Sequence, residues 1–125
     1  MNNKLDKNIV DMFYESSIRA NQNLVIVTGS GTIIGSPLDF DILEKFFDES
    51  LDPENENYDS SLEYPISSMV KLYNHMNDDS RMSDSGIWLK DVVIKGSNTL
   101  GDINIPVLFV LYDHVAALSI GELRN

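Results

Sequence analysis

The sequence predicts an α+β fold that is mainly β, with one N-terminal helix followed by five short antiparallel strands. Two observations lead to this fold class. Apolar residues recur at three- and four-residue spacing at the start of the chain and in a central segment, whereas β-branched runs bounded by glycine turns occupy the rest. The length of 125 residues suits one domain with one core. We therefore expect residues 1–125 to form a single domain.

The first segment, residues 4–19, has the periodicity of an amphipathic helix. Leu5, Ile9 and Met12 follow one another at spacings of four and three residues. A polar interruption comes next, and two β-branched runs then flank the glycine-rich segment Gly29-Ser30-Gly31. This pattern predicts a β-hairpin over residues 24–36.

Residues 37–85 are predicted to be an acidic, mostly helical insertion between the second and third strands. Ser36 before Pro37 is a favourable helix start, and we expect a short helix to about Asp48. The polar and acidic residues 49–64 predict an exposed loop. A second helix is indicated by apolar residues at helical spacing, namely Ile66, Met69, Val70, Tyr73 and Met76.

Three strands are predicted in the last block, residues 86–121. They cover residues 87–95, 103–112 and 115–120, and each is rich in valine, isoleucine or leucine. Together with the hairpin they complete the count of five strands after one helix.

The negative charge is unevenly distributed along the chain. The formal net charge is −11, and residues 37–63 hold ten of the twenty acidic residues and one base, Lys45. Binding to phosphate backbones depends largely on lysine and arginine, so this charge disfavours nucleic acid as a partner. The acidity therefore belongs to the insertion.

Several other function classes are disfavoured by composition. The chain has no cysteine, which excludes disulfides, thiolate nucleophiles and cysteine-ligated metals. The residues after Met1 lack the pattern of a signal peptide, and the longest apolar run, Val107 to Tyr112, is too short to cross a bilayer. We expect a cytoplasmic protein with no membrane contact.

Two segments resemble the motifs of the Sm-like family of small β-barrels. In residues 25–35 a valine-rich strand leads into the turn at Gly29 and reaches a second glycine, Gly35, which is similar to the first motif of that family. Residues 107–118 look like its second motif, a pair of short strands around a tight turn. The resemblance implies a five-stranded antiparallel small barrel that assembles into a homo-oligomer through exposed strand edges.

The RNA-binding residues of that family cannot be carried over to this chain. The last turn holds Asp113 and His114 where RNA-binding members have an Arg-Gly pair, and the insertion replaces the cluster after the second strand. By analogy with the family's assembly, His114 is expected in an exposed turn, where it would line an interface or a pore.

No catalytic, cofactor or metal site is predicted. Residues 52–63 space four acids as a calcium-binding loop does, but Asn57 stands where glycine is required, so an exposed acidic loop is the better interpretation. His75 is expected on the exposed side of its helix. Gly29-Ser30-Gly31 lacks the lysine of a phosphate-binding loop, and no Gly-x-Ser-x-Gly segment is present.

The insertion supplies the candidate partner-binding residues. Asp41, Glu44, Phe47 and Asp48 belong to the first predicted helix of the insertion, and His114 completes the set. The apolar residues of this helix either pack on the barrel or on the second helix of the insertion, or they contact another chain.

These features predict a non-enzymatic binding or assembly module that forms a homo-oligomer. One alternative is an acidic inhibitor or immunity-type protein that binds a basic protein partner, steered by charge. Another is a protein that sequesters a small, nucleotide-like ligand in a pocket between subunits.

Overall fold

The structure, a computed structural model, describes residues 7–29, 31–78, 86–96 and 101–121. In chain order the helices and strands are α1 (Lys7–Ala20), β1 (Asn23–Thr28), β2 (Gly31–Leu38), α2 (Phe40–Ser50), α3 (Glu63–Asp78), β3 (Gly86–Gly96), β4 (Ile103–Leu111) and β5 (Ala117–Gly121). Single turns of 3₁₀ helix lie at Ser60–Leu62 and Tyr112–His114. The α+β fold class, the N-terminal helix and the five antiparallel strands are confirmed.

One sheet contains all five strands, in the order β4-β3-β2-β1-β5. Leu24 of β1 stands opposite Gly35 on one side and Ile120 on the other, and Leu89 of β3 stands opposite Leu108 of β4. Since β4 and β5 lie at opposite ends of this order, the sheet is open among the described residues. The strand count is the expected one, but across the part of the chain that the structure describes no β4–β5 ladder closes the sheet into a complete barrel.

Contacts between Cα atoms divide the chain into two compact units. The sheet unit comprises Met1–Pro37 and Gly86–Asn125, and the helical unit is Leu38–Ser85. Thirteen of the twenty acidic residues and three of the nine basic residues belong to the helical unit, which gives it a net charge of −10 out of −11. The sheet unit is therefore nearly neutral.

The core of the sheet unit lies between α1 and one face of the sheet. Val10 is fully buried, so α1 is amphipathic, but its buried side is not the predicted one: Ile9 and Met12 of the predicted apolar stripe are 41% and 57% exposed. The buried cluster consists of Val10, Leu24, Ile26, Ile87, Leu89, Val92, Val110 and Val115.

The end of α1 is set by Asn21, which adopts a left-handed conformation with φ of 54°. The Asn21 N–H donates to the Ile18 carbonyl at 3.2 Å, and the Gln22 N–H donates to the Ser17 carbonyl at 3.1 Å. This pair of bonds satisfies carbonyls that the helix end would leave without partners, and asparagine tolerates the required backbone conformation. The polar interruption in the sequence is therefore a helix stop that leads directly into β1.

The start of α2 differs from the expectation. Ser36 was the predicted helix start, but Pro37 and Leu38 still belong to β2, and α2 begins at Phe40 with Asp39 as its N-cap. The Asp39 carboxylate accepts a hydrogen bond from the Ile42 N–H at 2.9 Å. Serine and aspartate are both good N-caps, so the sequence alone does not distinguish Ser36 from Asp39 as the start of the helix. The choice depends on where β2 ends, which is set by pairing with its partner strands.

The other predicted elements agree with the structure to within a few residues. The helix over residues 4–19 is α1, the hairpin is β1 and β2, the second helix of the insertion is α3, and the three strands of residues 86–121 are β3 to β5. The parts of these predictions that involve residues 4–6, Ser30, 79–85 and 97–100 lie outside the described residues. Within the described residues, none of the helices combines the length and apolarity needed to cross a bilayer.

Candidate functional site

The acidic side of α2 carries three of the predicted partner-binding residues. Asp41, Glu44 and Asp48 are separated by three and four residues, so they lie on one side of the helix, and all three are exposed. Lys45 forms an ion pair with Glu49 at 3.8 Å, but both side chains are open to solvent, and such a pair contributes little stability. The result is a solvated surface of mainly negative charge.

Phe47, the fourth predicted residue of α2, is a packing residue instead. Its side chain is 4% exposed, and its ring centroid lies 5.7 Å from that of Tyr73 in α3 and 6.0 Å from that of Phe46. Tilted rings at such distances attract each other in addition to burying apolar area. The sequence left open whether the apolar residues of this helix pack within the chain or contact another chain. Phe47 packs on α3, the second helix of the insertion, and its ring is not available to a partner.

Tyr73 also joins α3 to the acidic side of α2. Its hydroxyl donates a hydrogen bond of 2.9 Å to a carboxylate oxygen of Glu44. Burial raises the pKa of the Tyr73 phenol, and the hydrogen bond to Glu44 and the charges of Glu44 and Asp41 act in the same direction, while a hydrogen bond with Asn77 acts against them. Glu44 is thus held in place by a neutral tyrosine, which orients one member of the acidic surface.

In the loop between α2 and α3, acidic side chains accept hydrogen bonds from residues of the same loop. The carboxylate of Asp52 accepts from the Glu54 N–H at 3.0 Å, and that of Asp59 accepts from the N–H and the hydroxyl of Ser61 at 2.9 and 2.6 Å. The hydroxyl bond of Ser61, followed by its backbone bond, lowers the pKa of Asp59. The described residues hold no group of three or more histidine, aspartate or glutamate side chains placed to bind a metal ion.

His114 lies in the 3₁₀ turn between β4 and β5, and its side chain is exposed, as expected. The neighbouring Tyr112 anchors this turn to α1, because its hydroxyl donates to a carboxylate oxygen of Asp11 and Lys7 lies 5.6 Å from the centre of its ring. The turn is also tied to β1, since the Ala116 N–H donates to the Val27 carbonyl at 2.8 Å. The turn that carries His114 is therefore attached both to α1 and to β1. The other histidine, His75 of α3, is exposed as well.

An open cavity of about 520 Å³ lies beside His114 in the sheet unit. Residues from β1, β2, β3 and β4 contribute to its wall, among them Thr28, Ile33, Ile94, Leu108 and Leu111. Sequence reasoning missed this cavity, because its wall combines residues more than eighty positions apart that only strand pairing brings together. Of the residues in the cavity wall, only His114 could be singled out from the sequence, as a polar residue in a predicted turn.

Both edges of the sheet belong to the strands that flank the His114 turn. Within the described residues β4 pairs with β3 alone, and β5 pairs with β1 alone. The edge strand β4 is apolar and includes Ile103, which is 51% exposed, and Pro106, whose missing N–H is tolerated at an edge. Each edge presents backbone groups that another strand could pair with.

No protein-family model matches the chain, and no curated protein matches it significantly in sequence.

Proposed function

We propose that this chain is a non-enzymatic binding or assembly module of the Sm-like type and that it forms a homo-oligomer. The observation that supports this function is the open five-stranded sheet, which has β4 at one edge and β5 at the other. An uncovered edge is a template for pairing with another chain, and two different edges on one subunit permit head-to-tail pairing between identical copies. The turn that carries His114 joins the two edge strands and would lie close to such an interface.

Native mass spectrometry of the full chain at micromolar concentration tests this proposal. A protomer has a mass of 14.1 kDa, so an assembly gives a defined multiple of that mass. A spectrum with the monomer alone would remove the assembly function. The same spectrum reports any small molecule that remains bound, so it also bears on the ligand-sequestering alternative.

A second candidate function is that of an acidic inhibitor or immunity-type protein with a basic protein partner. The specific observation in its favour is that the helical unit has a net charge of −10 while the sheet unit is nearly neutral. Concentrated charge of one sign steers an oppositely charged partner and raises the association rate. The exposed acids Asp41, Glu44 and Asp48 would form the contact surface, with Glu44 oriented by Tyr73.

Two charge-reversal variants with the same net charge test this second candidate. In the first, Asp41, Glu44 and Asp48 are replaced by lysine; in the control, Asp52, Glu54 and Glu56 of the exposed loop are replaced by lysine. Binding to protamine, a protein rich in arginine, is measured by isothermal titration calorimetry at two salt concentrations. A site on α2 requires that the first variant lose far more affinity than the control. Equal losses would show attraction by net charge only and would contradict a site.

A further inference from the structure

We propose that the open cavity of the sheet unit binds a small apolar molecule that carries one neutral, hydrogen-bond-accepting group. This inference goes beyond assembly and beyond a basic protein partner, because it concerns a small ligand and not another protein chain. It rests on the volume of the cavity, the apolar character of its wall and the polar group at its rim.

The size of the cavity suits a small organic molecule. Its volume of about 520 Å³ lies within the range of roughly 300 to 1,000 Å³ that is usual for ligand pockets. All of its wall residues belong to the sheet unit, so the shape of the cavity is set by one sheet and the turn after β4.

The wall of the cavity is apolar and incompletely covered. Ile33, Ile94 and Leu108 pack against the buried core cluster, yet each remains only partly buried. Leu111 at the end of β4 is 41% exposed. Removing such surface from water is favourable in proportion to the apolar area that a ligand covers, so the wall would bind an alkyl or ring system.

The polar groups at the rim define the functional group of the ligand. Thr28 uses its hydroxyl to donate to the Gly31 carbonyl at 3.1 Å. The exposed imidazole of His114 carries an N–H that can donate to a ligand oxygen. The group on the ligand that matches the imidazole N–H is an acceptor, such as a hydroxyl, ether or carbonyl oxygen.

Charge favours a neutral ligand over an ion. The sheet unit has seven acidic and six basic residues, so its overall field attracts neither sign strongly. Asp113 precedes His114 in the same turn, and its negative charge works against a carboxylate placed beside the imidazole.

The experiment uses two small probes with the full chain. N-Phenyl-1-naphthylamine, an apolar dye whose fluorescence rises in apolar surroundings, is titrated first, and it is then displaced with 1-octanol or with octanoate at pH 8. We expect saturable dye binding and displacement by octanol at a concentration at least about tenfold lower than by octanoate. Dye fluorescence that never saturates, or octanoate displacing the dye as well as octanol does, would overturn the proposal.

Three variants locate the site. Leu111→Gln, in the wall, should weaken dye binding about fivefold, because a partly exposed apolar contact is lost. Val27→Gln is the matched control, since Val27 is also 41% exposed but is not part of the wall, and the affinity of this variant should stay within twofold. His114→Phe should weaken octanol relative to the dye, because only octanol has an oxygen that accepts from the imidazole N–H. Equal effects of Leu111→Gln and Val27→Gln, or no effect of His114→Phe on octanol, would refute this site.

Discussion

The hydroxyl of Tyr73 and the carboxylate of Glu44 form a 2.9 Å hydrogen bond between residues that are 29 positions apart in the sequence. The bond connects α3 to the exposed side of α2, and the ring of Tyr73 meets Phe47 on the inner side of the same helix. One tyrosine therefore supports both the packing of the helical unit and the position of a charged residue on its surface.

Loss of the Tyr73 hydroxyl should destabilise the helical unit. Tyr73→Phe keeps the ring and removes the hydrogen bonds of the hydroxyl with Glu44 and Asn77, so we expect a decrease of about 1 kcal/mol in the free energy of unfolding. Tyr64→Phe is the control, because Tyr64 is 83% exposed and a surface change of this kind has little effect. Urea denaturation followed by circular dichroism measures both variants. Equal stability of the two variants would contradict a contribution from the Tyr73–Glu44 bond.

The same pair predicts a pH dependence at the alkaline end. Burial, the bond to Glu44 and nearby negative charge raise the pKa of Tyr73, so the folded state favours the neutral phenol. The resulting stabilisation is complete below the unfolded pKa of about 10 and is lost as the pH rises through the folded pKa. Glu44→Gln should lower the pKa of Tyr73, whereas Glu49→Gln on the same helix should not. Absorbance at 295 nm follows tyrosine ionisation, and subtracting the titration of the matching Tyr73→Phe variant isolates the contribution of Tyr73. An unchanged Tyr73 titration in Glu44→Gln would contradict the role of Glu44 in raising this pKa.

The N-cap of α2 provides a prediction with an internal control. Asp39→Ala removes the bond to the Ile42 N–H and should cost about 1 kcal/mol of stability. Asp48→Ala removes an acid near the other end of α2, where negative charge opposes the helix dipole, so no loss is expected. Hydrogen exchange of the α2 amides compares the two variants. Similar protection in both would argue against Asp39 as the cap.

The two glycines of the β1–β2 turn should respond differently to substitution. A Cβ atom on Gly31 would lie 2.7 Å from the Lys95 carbonyl oxygen, whereas one on Gly29 would meet nothing within 4 Å. Gly31→Ala must displace the backbone of β3, and we expect a cost of about 1 to 3 kcal/mol. Gly29→Ala should be neutral or slightly stabilising, because it restricts the unfolded chain.

Trp88 is the reporter for this comparison. It is the only tryptophan of the chain, it is 4% exposed, and its ring centroid lies 5.1 Å from that of Phe109. Its fluorescence therefore follows unfolding of the sheet unit in denaturant. Coinciding unfolding curves for the two glycine variants would contradict the close approach of Gly31 to the backbone of β3.

The assembly proposal predicts that a charge on the β4 edge reduces the oligomer. Ile103→Lys places a lysine on the edge strand, where natural proteins use this residue to prevent strand pairing. Met12→Lys makes a similar change at an exposed apolar residue of α1, which belongs to neither edge strand, and should leave the oligomer intact. Size-exclusion chromatography with light scattering gives both masses, and dissociation by both substitutions alike would point away from the β4 edge.

Local sequence patterns were sufficient to predict the helices and strands, but not to predict which of their side chains pack within the protein. The spacing of the apolar residues predicted α1, and the glycines around Ser30 predicted the hairpin, because both signals lie within a few residues of the element that they define. The same spacing did not identify the buried side of α1, since Ile9 and Met12 are exposed and Val10 is buried. The start of α2 was misplaced at Ser36 because a cap can act only where the preceding strand ends. Phe47 was assigned to a partner because helical spacing shows that a side chain needs burial without showing what buries it.

The sequence alone determined the fold class, the order of the elements, the acidity of the insertion and the turn that holds His114, because each depends on composition or on neighbours in the chain. The strand order, the open edges at β4 and β5, the Tyr73–Glu44 bond and the cavity beside His114 depend on the packing of the folded chain. These features join distant residues, such as Leu24 with Ile120. Their formation depends on which surfaces pack together, and many pairings are compatible with the same local pattern of apolar residues.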